Sequence, residues 1–234
     1  MSAPRERITL EPAYVLHSRE YRDTSRILDV FSVAHGRITL FARGARGPKS
    51  RLASLLMPFR PLLVSWSGRG DTAQLTGAEP HGELSALPSR QVLSGFYLNE
   101  LIINLTTRHD PQPQLFDDYA TALRSLAGDG AAEPTLRVFE KRLLASLGYG
   151  LEFDVEAGTY YRFHVGEGLA EVREDSPGAY SGRCLLALQQ EELADGETLD
   201  VARRLLRQAL DHCLEGRELR TRTVARSMVR RGHP

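Results

Sequence analysis

Residues 25–44, "SRILDVFSVAHGRITLFARG", contain two runs rich in β-branched and aromatic residues, separated by a short turn at His35-Gly36. Two such runs on either side of a tight turn are typical of a β-hairpin. An earlier run at 13–19 and two runs within 60–80 have the same form. About five short strands within about 75 residues indicate a small barrel. A short helix is also predicted at 50–57, ending before Pro58.

The pattern becomes helical near Pro88. Residues 88–111 repeat apolar positions at helical spacing, and a second amphipathic stretch runs to Gly128. A third begins at Glu133-Pro134 and ends at Gly148, with the proline and glycine where helices favour them. Three helices with short connections are expected to pack on one another.

The C-terminal third mixes both patterns. Residues 151–180 indicate short strands with glycine turns, while "GRCLLALQQEEL" and "DVARRLLRQALDHCLEG" are predicted to be helices. The tail that follows is basic and is expected to be a partly ordered helix. The fold class is therefore α+β, with predicted domains at 1–80, 81–150 and 151–234.

Composition restricts the class of protein. The 234 residues are 41% hydrophobic, and none of their apolar runs approaches the ~20 residues of a membrane span. The N-terminus has no apolar core of a signal peptide, so a cytoplasmic protein is expected. Cys184 and Cys213 are isolated, which argues against a disulfide framework and a cysteine-rich zinc site.

The charges are segregated, although the net charge is zero. Residues 1–80 carry 12 Lys and Arg against 7 Asp and Glu, whereas residues 81–160 carry 6 against 11. Residues 201–234 are again basic, with 9 against 3. Both ends of the chain are therefore expected to meet anionic partners.

The sequence "ARGARGPKSRL" at 42–52 combines two glycines with four cations. A nucleotide-binding P-loop ending at Lys49-Ser50 would need glycine at positions 43 and 48, where this chain has arginine and proline. Proline has no N–H to offer a phosphate. The remaining interpretations are a clamp for a nucleic-acid backbone and a solvated basic turn.

A five-stranded Greek-key barrel would be an OB-fold, which binds single strands through a basic groove and stacking aromatics. The aromatic residues interleaved with the cations are Tyr14, Tyr21, Phe41, Phe59 and Trp66. The candidate DNA-binding residues are Arg37, Arg43, Arg46, Lys49, Arg51 and Arg69.

Catalytic patterns are incomplete. His81-x-Glu83 matches half of a zinc-deaminase pattern, but the second half, P-C-x-x-C, is absent from the sequence, as is a G-x-S-x-G elbow. A binding protein without a cofactor is therefore expected rather than an enzyme.

Several phrases in order along the chain resemble the RecO family of bacterial recombination mediators. They include residues 13–52 and 57–80, "SGFYLNELIINL", "LFDDY", "LRVFEKRLLASLGYG" and "LEGRELRTRTV". The resemblance covers nearly the whole chain. It implies an N-terminal OB-fold, a helical middle and a C-terminal α+β region.

The resemblance also implies function. The family binds single- and double-stranded DNA, anneals complementary strands, and acts with RecR to load RecA on strands coated by single-strand binding protein (SSB). Arg137, read as lying in the first turn of the third helix, matches a family arginine for the acidic SSB tail. Tyr97 and Leu101 are candidates for the apolar part of that pocket, with core packing the stronger interpretation of Leu101.

One departure concerns metal. Many members carry four cysteines after the helical region as a zinc site, and this chain has none there, so zinc is not expected. A possible second basic surface is formed by Arg217, Arg220, Arg222 and Arg226. The alternatives left open are an OB-fold RNA-binding module and an SSB/RecR adaptor with little DNA affinity. The expected location is the cytoplasm, in association with the nucleoid.

Overall fold

The computed structural model describes residues 7–47, 50–68, 70, 73–82, 86–152 and 154–231. The chain divides into two compact units. The first unit comprises Met1–Asp129 with Leu219–Pro234, and the second comprises Gly130–Glu218. The fold is α+β, as predicted.

Five strands form the barrel of the first unit. They are β1 Arg7–Tyr21, β2 Ser25–Ser32, β3 Gly36–Ala42, β4 Pro61–Ser67 and β5 Gln74–Pro80. The barrel is closed in the order β1-β2-β3-β5-β4. Strands β3 and β5 pair in parallel, at Phe41 and Gln74, and the other pairs of barrel strands are antiparallel. This is a five-stranded OB-type arrangement, and the predicted hairpin is the antiparallel β2–β3 pair.

The barrel interior follows the period-two pattern of its strands. Val15, Leu28, Val30 and Leu40 are fully buried in its core. Because neighbouring side chains point to opposite faces, the residues that alternate with them lie on the outside of the barrel. This alternation decides which face is available to a ligand.

The described residues form seven α-helices: α1 Arg51–Leu55, α2 Val92–Leu105, α3 Pro113–Ala127, α4 Ala132–Ser146, α5 Gly182–Gln190, α6 Gly196–Cys213 and α7 Arg220–Arg231. The first unit holds α1, α2, α3 and α7. The short helix predicted at 50–57 is α1, and the basic tail forms α7. None of the helices in the described ranges is long and apolar enough to cross a membrane.

A buried polar link holds the helices of the first unit to its barrel. Asn99 on α2 donates from Nδ2 to the carbonyl of Leu16 on β1, at 2.8 Å. Tyr119 on α3 donates its hydroxyl to Asn99 Oδ1, at 2.5 Å. Burial raises the pKa of Tyr119 well above its ordinary value, so the hydroxyl stays protonated and remains a donor.

The second unit packs three helices with a small sheet. Strands β6 Tyr160–His164, β7 Gly168–Val172 and β8 Tyr180–Ser181 form an antiparallel sheet in the order β7-β6-β8. Helix α6 begins at an Asp195 cap, whose side chain accepts from the Thr198 N–H at 2.8 Å. The short strands and two helices predicted for this region are confirmed, whereas the division into three domains stays a prediction.

Candidate nucleic-acid interface

The basic loop, residues 43–51, connects β3 to α1 and is closed by Ser50. The chain turns at Gly44, which has φ +65°. Ser50 donates its hydroxyl to the Gly44 carbonyl at 2.6 Å and accepts from the Ala53 N–H at 3.3 Å, so that it also caps α1. The Ser50 side chain therefore links Gly44 to the first turn of α1.

The cations of the loop differ in their surroundings. Arg43 and Arg51 are exposed. Arg46 forms an ion pair with Glu20 at 2.8 Å and donates to the Arg22 carbonyl at 3.2 Å. Because a solvent-exposed ion pair contributes little stability, Arg46 can exchange Glu20 for a phosphate at small cost. Lys49 and Arg69, two further candidates, lie outside the described residues.

Arg37, another of the candidates, bonds to the connection between α2 and α3. It donates from Nη2 to the Thr106 carbonyl at 2.9 Å, which fastens the connection between α2 and α3 to β3. The His109 N–H donates to the Arg37 carbonyl at 3.0 Å. Burial is the main reason that the pKa of Arg37 is lowered, and the positive charge of the nearby Arg108 lowers it further. Arg37 therefore stabilises the packing of this connection, and its contact with DNA stays a prediction.

The second basic surface is carried largely by α7, which is fastened to α2. Glu100 accepts from the N–H groups of Arg220 and Thr221, at 2.7 and 3.0 Å, and thus caps α7 from another helix. The Arg222 guanidinium lies over the Tyr97 ring, 5.8 Å from its centroid. Arg220 and Arg226 are exposed.

Arg217, the fourth residue of that surface, belongs to the second unit. It is exposed and donates from Nε to the Leu214 carbonyl at 3.0 Å. This contact holds the side chain against the end of α6. Arg217 therefore belongs to a different unit from the arginines of α7.

The three residues considered for the SSB tail are divided between the units. Tyr97 and Leu101 lie in the first unit and Arg137 in the second. Leu101 is fully buried, as the stronger interpretation of core packing requires, and its contact with a tail stays a prediction. Tyr97 is 9% exposed, with Arg222 over its ring. Neither residue therefore offers an open apolar surface.

The expected position of Arg137 is also corrected. Helix α4 begins at Ala132, so that Pro134 occupies its third position and Arg137 lies in the second turn. Proline is tolerated there because the first N–H groups of a helix have no intrahelical partner. Arg137 is 8% exposed and pairs with Glu140 at 2.9 Å. Its charge is therefore neutralised within α4.

Metal ligands do not cluster in the described part of the chain. No group of three or more His, Cys, Asp or Glu residues in those ranges could hold a metal ion. Cys184 is fully buried, and burial raises the pKa of the half-buried Cys213 thiol. A thiol that stays protonated is a poor metal ligand.

Sequence patterns did not indicate the contacts that organise this interface. The Glu100 cap joins residues about 120 positions apart, and the Arg37–Thr106 bond joins residues 69 apart. The sequence did place Gly36 at the hairpin turn, and this residue marks one of the close contacts. Its φ is +62°, and a Cβ there would lie 2.1 Å from the Asp110 carbonyl oxygen, so its conformation and the close approach both require glycine.

The closed five-stranded barrel and the basic loop define an OB-fold protein. The family models described as the N- and C-terminal parts of recombination protein O match residues 7–83 and 90–223. The chain therefore belongs to the RecO family of DNA repair and recombination proteins.

Two similar relatives are each named DNA repair protein RecO. The protein from Methylococcus capsulatus is 41% identical, over 94% of this chain and 94% of its own length. The protein from Nitrosococcus oceani is 42% identical, over 97% of this chain and 96% of its own length.

Proposed function

We propose that this protein is a recombination mediator without enzymatic activity. It binds single- and double-stranded DNA, anneals complementary strands, and acts with RecR to load RecA on SSB-coated strands, in the cytoplasm at the nucleoid. The observation that carries the proposal is a RecO-family OB-fold whose basic loop, fixed by Ser50, presents exposed arginines at one end of the barrel.

The loop would act on the DNA backbone. Arginine forms charge-assisted hydrogen bonds to phosphate oxygens, often two at a time. Contacts with phosphates position a strand and carry no sequence information. Binding to every sequence alike suits a protein that must act wherever a single strand is exposed.

We further propose that Arg137 receives the acidic tail of SSB. Its resemblance to a family arginine supports this assignment. Because Arg137 already pairs with Glu140, the tail carboxylate would have to join or replace an existing partner. Such exchange would tie capture of the tail to a rearrangement within α4.

A salt titration of strand binding tests the DNA proposal. Each neutralised phosphate releases counterions, so about four contacts to a single strand predict a slope of log K against log salt of about −3. Changing Arg43, Arg46, Lys49 and Arg51 to Ala should flatten that slope and weaken binding to all sequences. An RNA competitor of the same sequence separates this function from RNA recognition.

A matched control variant makes the same change in net charge outside the basic loop. Arg173, Arg183, Arg203 and Arg207 are exposed and lie in the second unit, each beside an acidic residue. Their replacement by Ala should leave the slope unchanged. Equal slopes for the loop variant and the wild type would contradict the proposal and indicate that the loop is a solvated basic turn.

A further inference from the structure

Three of the five aromatic residues interleaved with the N-terminal cations are half-buried, and two of these three lie together on the outside of the barrel. Tyr14 and Trp66 are buried, and Phe59 packs against Phe96 on α2, with ring centroids 4.9 Å apart. Tyr21 and Phe41 are half-buried. Their rings meet edge to face, with centroids 5.6 Å apart. We call these two residues the aromatic pair.

Strand register places the aromatic pair on the outer face. Phe41 lies opposite Ile27, and Tyr21 lies opposite Ser25. Leu28 and Leu40, which alternate with these positions, point into the core. The aromatic pair therefore stands on the outer surface of β1, β2 and β3.

The other end of this face is covered by the helical part of the first unit. Phe31 packs against Phe116 on α3, with ring centroids 5.5 Å apart. Arg37 bonds to Thr106, and Arg108 bonds to Asp29 at 2.9 Å. The helices thus close one end of the sheet face and leave the end with the aromatic pair half-exposed.

Cations surround the aromatic pair. The Arg22 guanidinium lies over the Tyr21 ring, 5.1 Å from its centroid. Arg19, across from Ile27 on the same face, and Arg43, just beyond the end of β3, are both exposed. Arg46 is held near by its bond to the Arg22 carbonyl. Flat aromatic rings bordered by arginines match a chain that alternates planar bases with phosphates.

We propose that Tyr21 and Phe41 form a base-stacking platform that makes this surface prefer unpaired DNA over duplex. The proposal rests on the proposed function, because it assumes that the basic loop binds the strand's phosphates. Arg22 already places a planar group over Tyr21 from the solvent side, and a base can take its position or stack upon it. In a duplex the base faces are occupied by neighbouring pairs and cannot reach the platform.

The test compares three labelled DNAs with the full chain: an oligothymidine, a duplex of the same length, and the same strand with abasic sites. Tyr21→Ala with Phe41→Ala should weaken binding to the oligothymidine about tenfold or more. Binding to the duplex and the abasic strand should change by less than about twofold. Tyr149→Ala, which removes an exposed aromatic ring in the second unit, is the matched control and should change nothing.

Because Phe41 lies opposite Ile27, replacing it by alanine could also disturb folding, and a second variant separates that effect from the loss of base stacking. Tyr21→Leu with Phe41→Leu keeps apolar volume but removes both rings, and it should lose the same preference for bases. Equal losses on all three DNAs, or no loss on oligothymidine, would overturn the platform while the salt slope still supports the loop. Failure of the wild-type protein to bind any of the three would instead overturn the proposed DNA function itself.

Discussion

At the residue scale, glycine is required at Gly36 and at Gly44 for different reasons. Both have left-handed backbone, with φ of +62° and +65°. A Cβ at Gly36 would lie 2.1 Å from the Asp110 carbonyl oxygen, whereas a Cβ at Gly44 would have no atom within 4 Å. Conformation alone requires glycine at Gly44, and conformation together with close approach requires it at Gly36.

The two alanine variants should therefore differ in stability. Gly44→Ala should lower the free energy of unfolding by roughly 1–2 kcal/mol, the cost of left-handed backbone for an L-residue. Gly36→Ala should cost about 3 kcal/mol or more, because the connection between α2 and α3 must also move away from β3. Urea unfolding of both variants measures the difference, and equal losses would contradict the close approach.

Arg137 allows a second prediction at this scale. Arg137→Lys keeps the charge beside Glu140 but removes the planar fork, so affinity for an SSB-tail peptide should fall about tenfold. Arg142→Lys, on the same helix beside Glu191, is the control and should bind the peptide normally. Fluorescence titration measures both. Normal peptide affinity of the Arg137 variant at unchanged stability would remove Arg137 from the proposed tail site.

At the element scale, α7 depends on a carboxylate from another helix. Glu100→Ala removes the acceptor of the Arg220 and Thr221 N–H groups, and the loss of such charge-assisted bonds costs roughly 1–3 kcal/mol. Hydrogen exchange of the amides in α7 should therefore accelerate about tenfold, with exchange in the barrel strands unchanged. In Glu100→Gln, which keeps one acceptor oxygen, the rate of amide exchange in α7 should lie between those of the wild type and of Glu100→Ala. Unchanged exchange in α7 would show that its other contacts suffice.

The elements themselves were largely predictable from sequence. Alternation and the turn at His35-Gly36 indicated β2 and β3 because both signals are local. The start of α4 was misplaced because Pro134 was taken to open the helix, whereas the first turn tolerates proline at more than one position. Arg137 therefore lies in the second turn and not in the first. Its proposed role in binding a carboxylate is no longer supported by a position at the helix N-terminus.

The candidate site was predictable only in part. Composition identified the basic loop, but it could not separate Arg37, which bonds to Thr106, from the exposed Arg43. It likewise could not separate the buried Trp66 from the half-exposed Phe41. Both distinctions arise from tertiary contacts between distant segments, which strand periodicity in one segment does not record.

At the scale of the whole molecule, a zero net charge combines basic ends with an acidic middle. Both the basic loop and the arginines of α7 belong to the first unit. Annealing brings together two strands that repel each other, so a protein that promotes it benefits from cations for both backbones. The two basic surfaces are candidates for this division of work.

Arg220→Gln with Arg226→Gln tests that division, since it neutralises exposed cations without touching the cap or the Arg222–Tyr97 contact. The cap uses the backbone N–H of Arg220, which glutamine retains. Annealing of complementary labelled strands, followed by energy transfer, should slow about tenfold, while binding of one strand at the barrel stays near normal. The variant with the neutralised basic loop should lose both activities, because the barrel then captures no strand and α7 has no bound partner strand to pair with its own. Annealing at the wild-type rate in the α7 variant would assign both strands to the barrel and leave α7 a solvated helix.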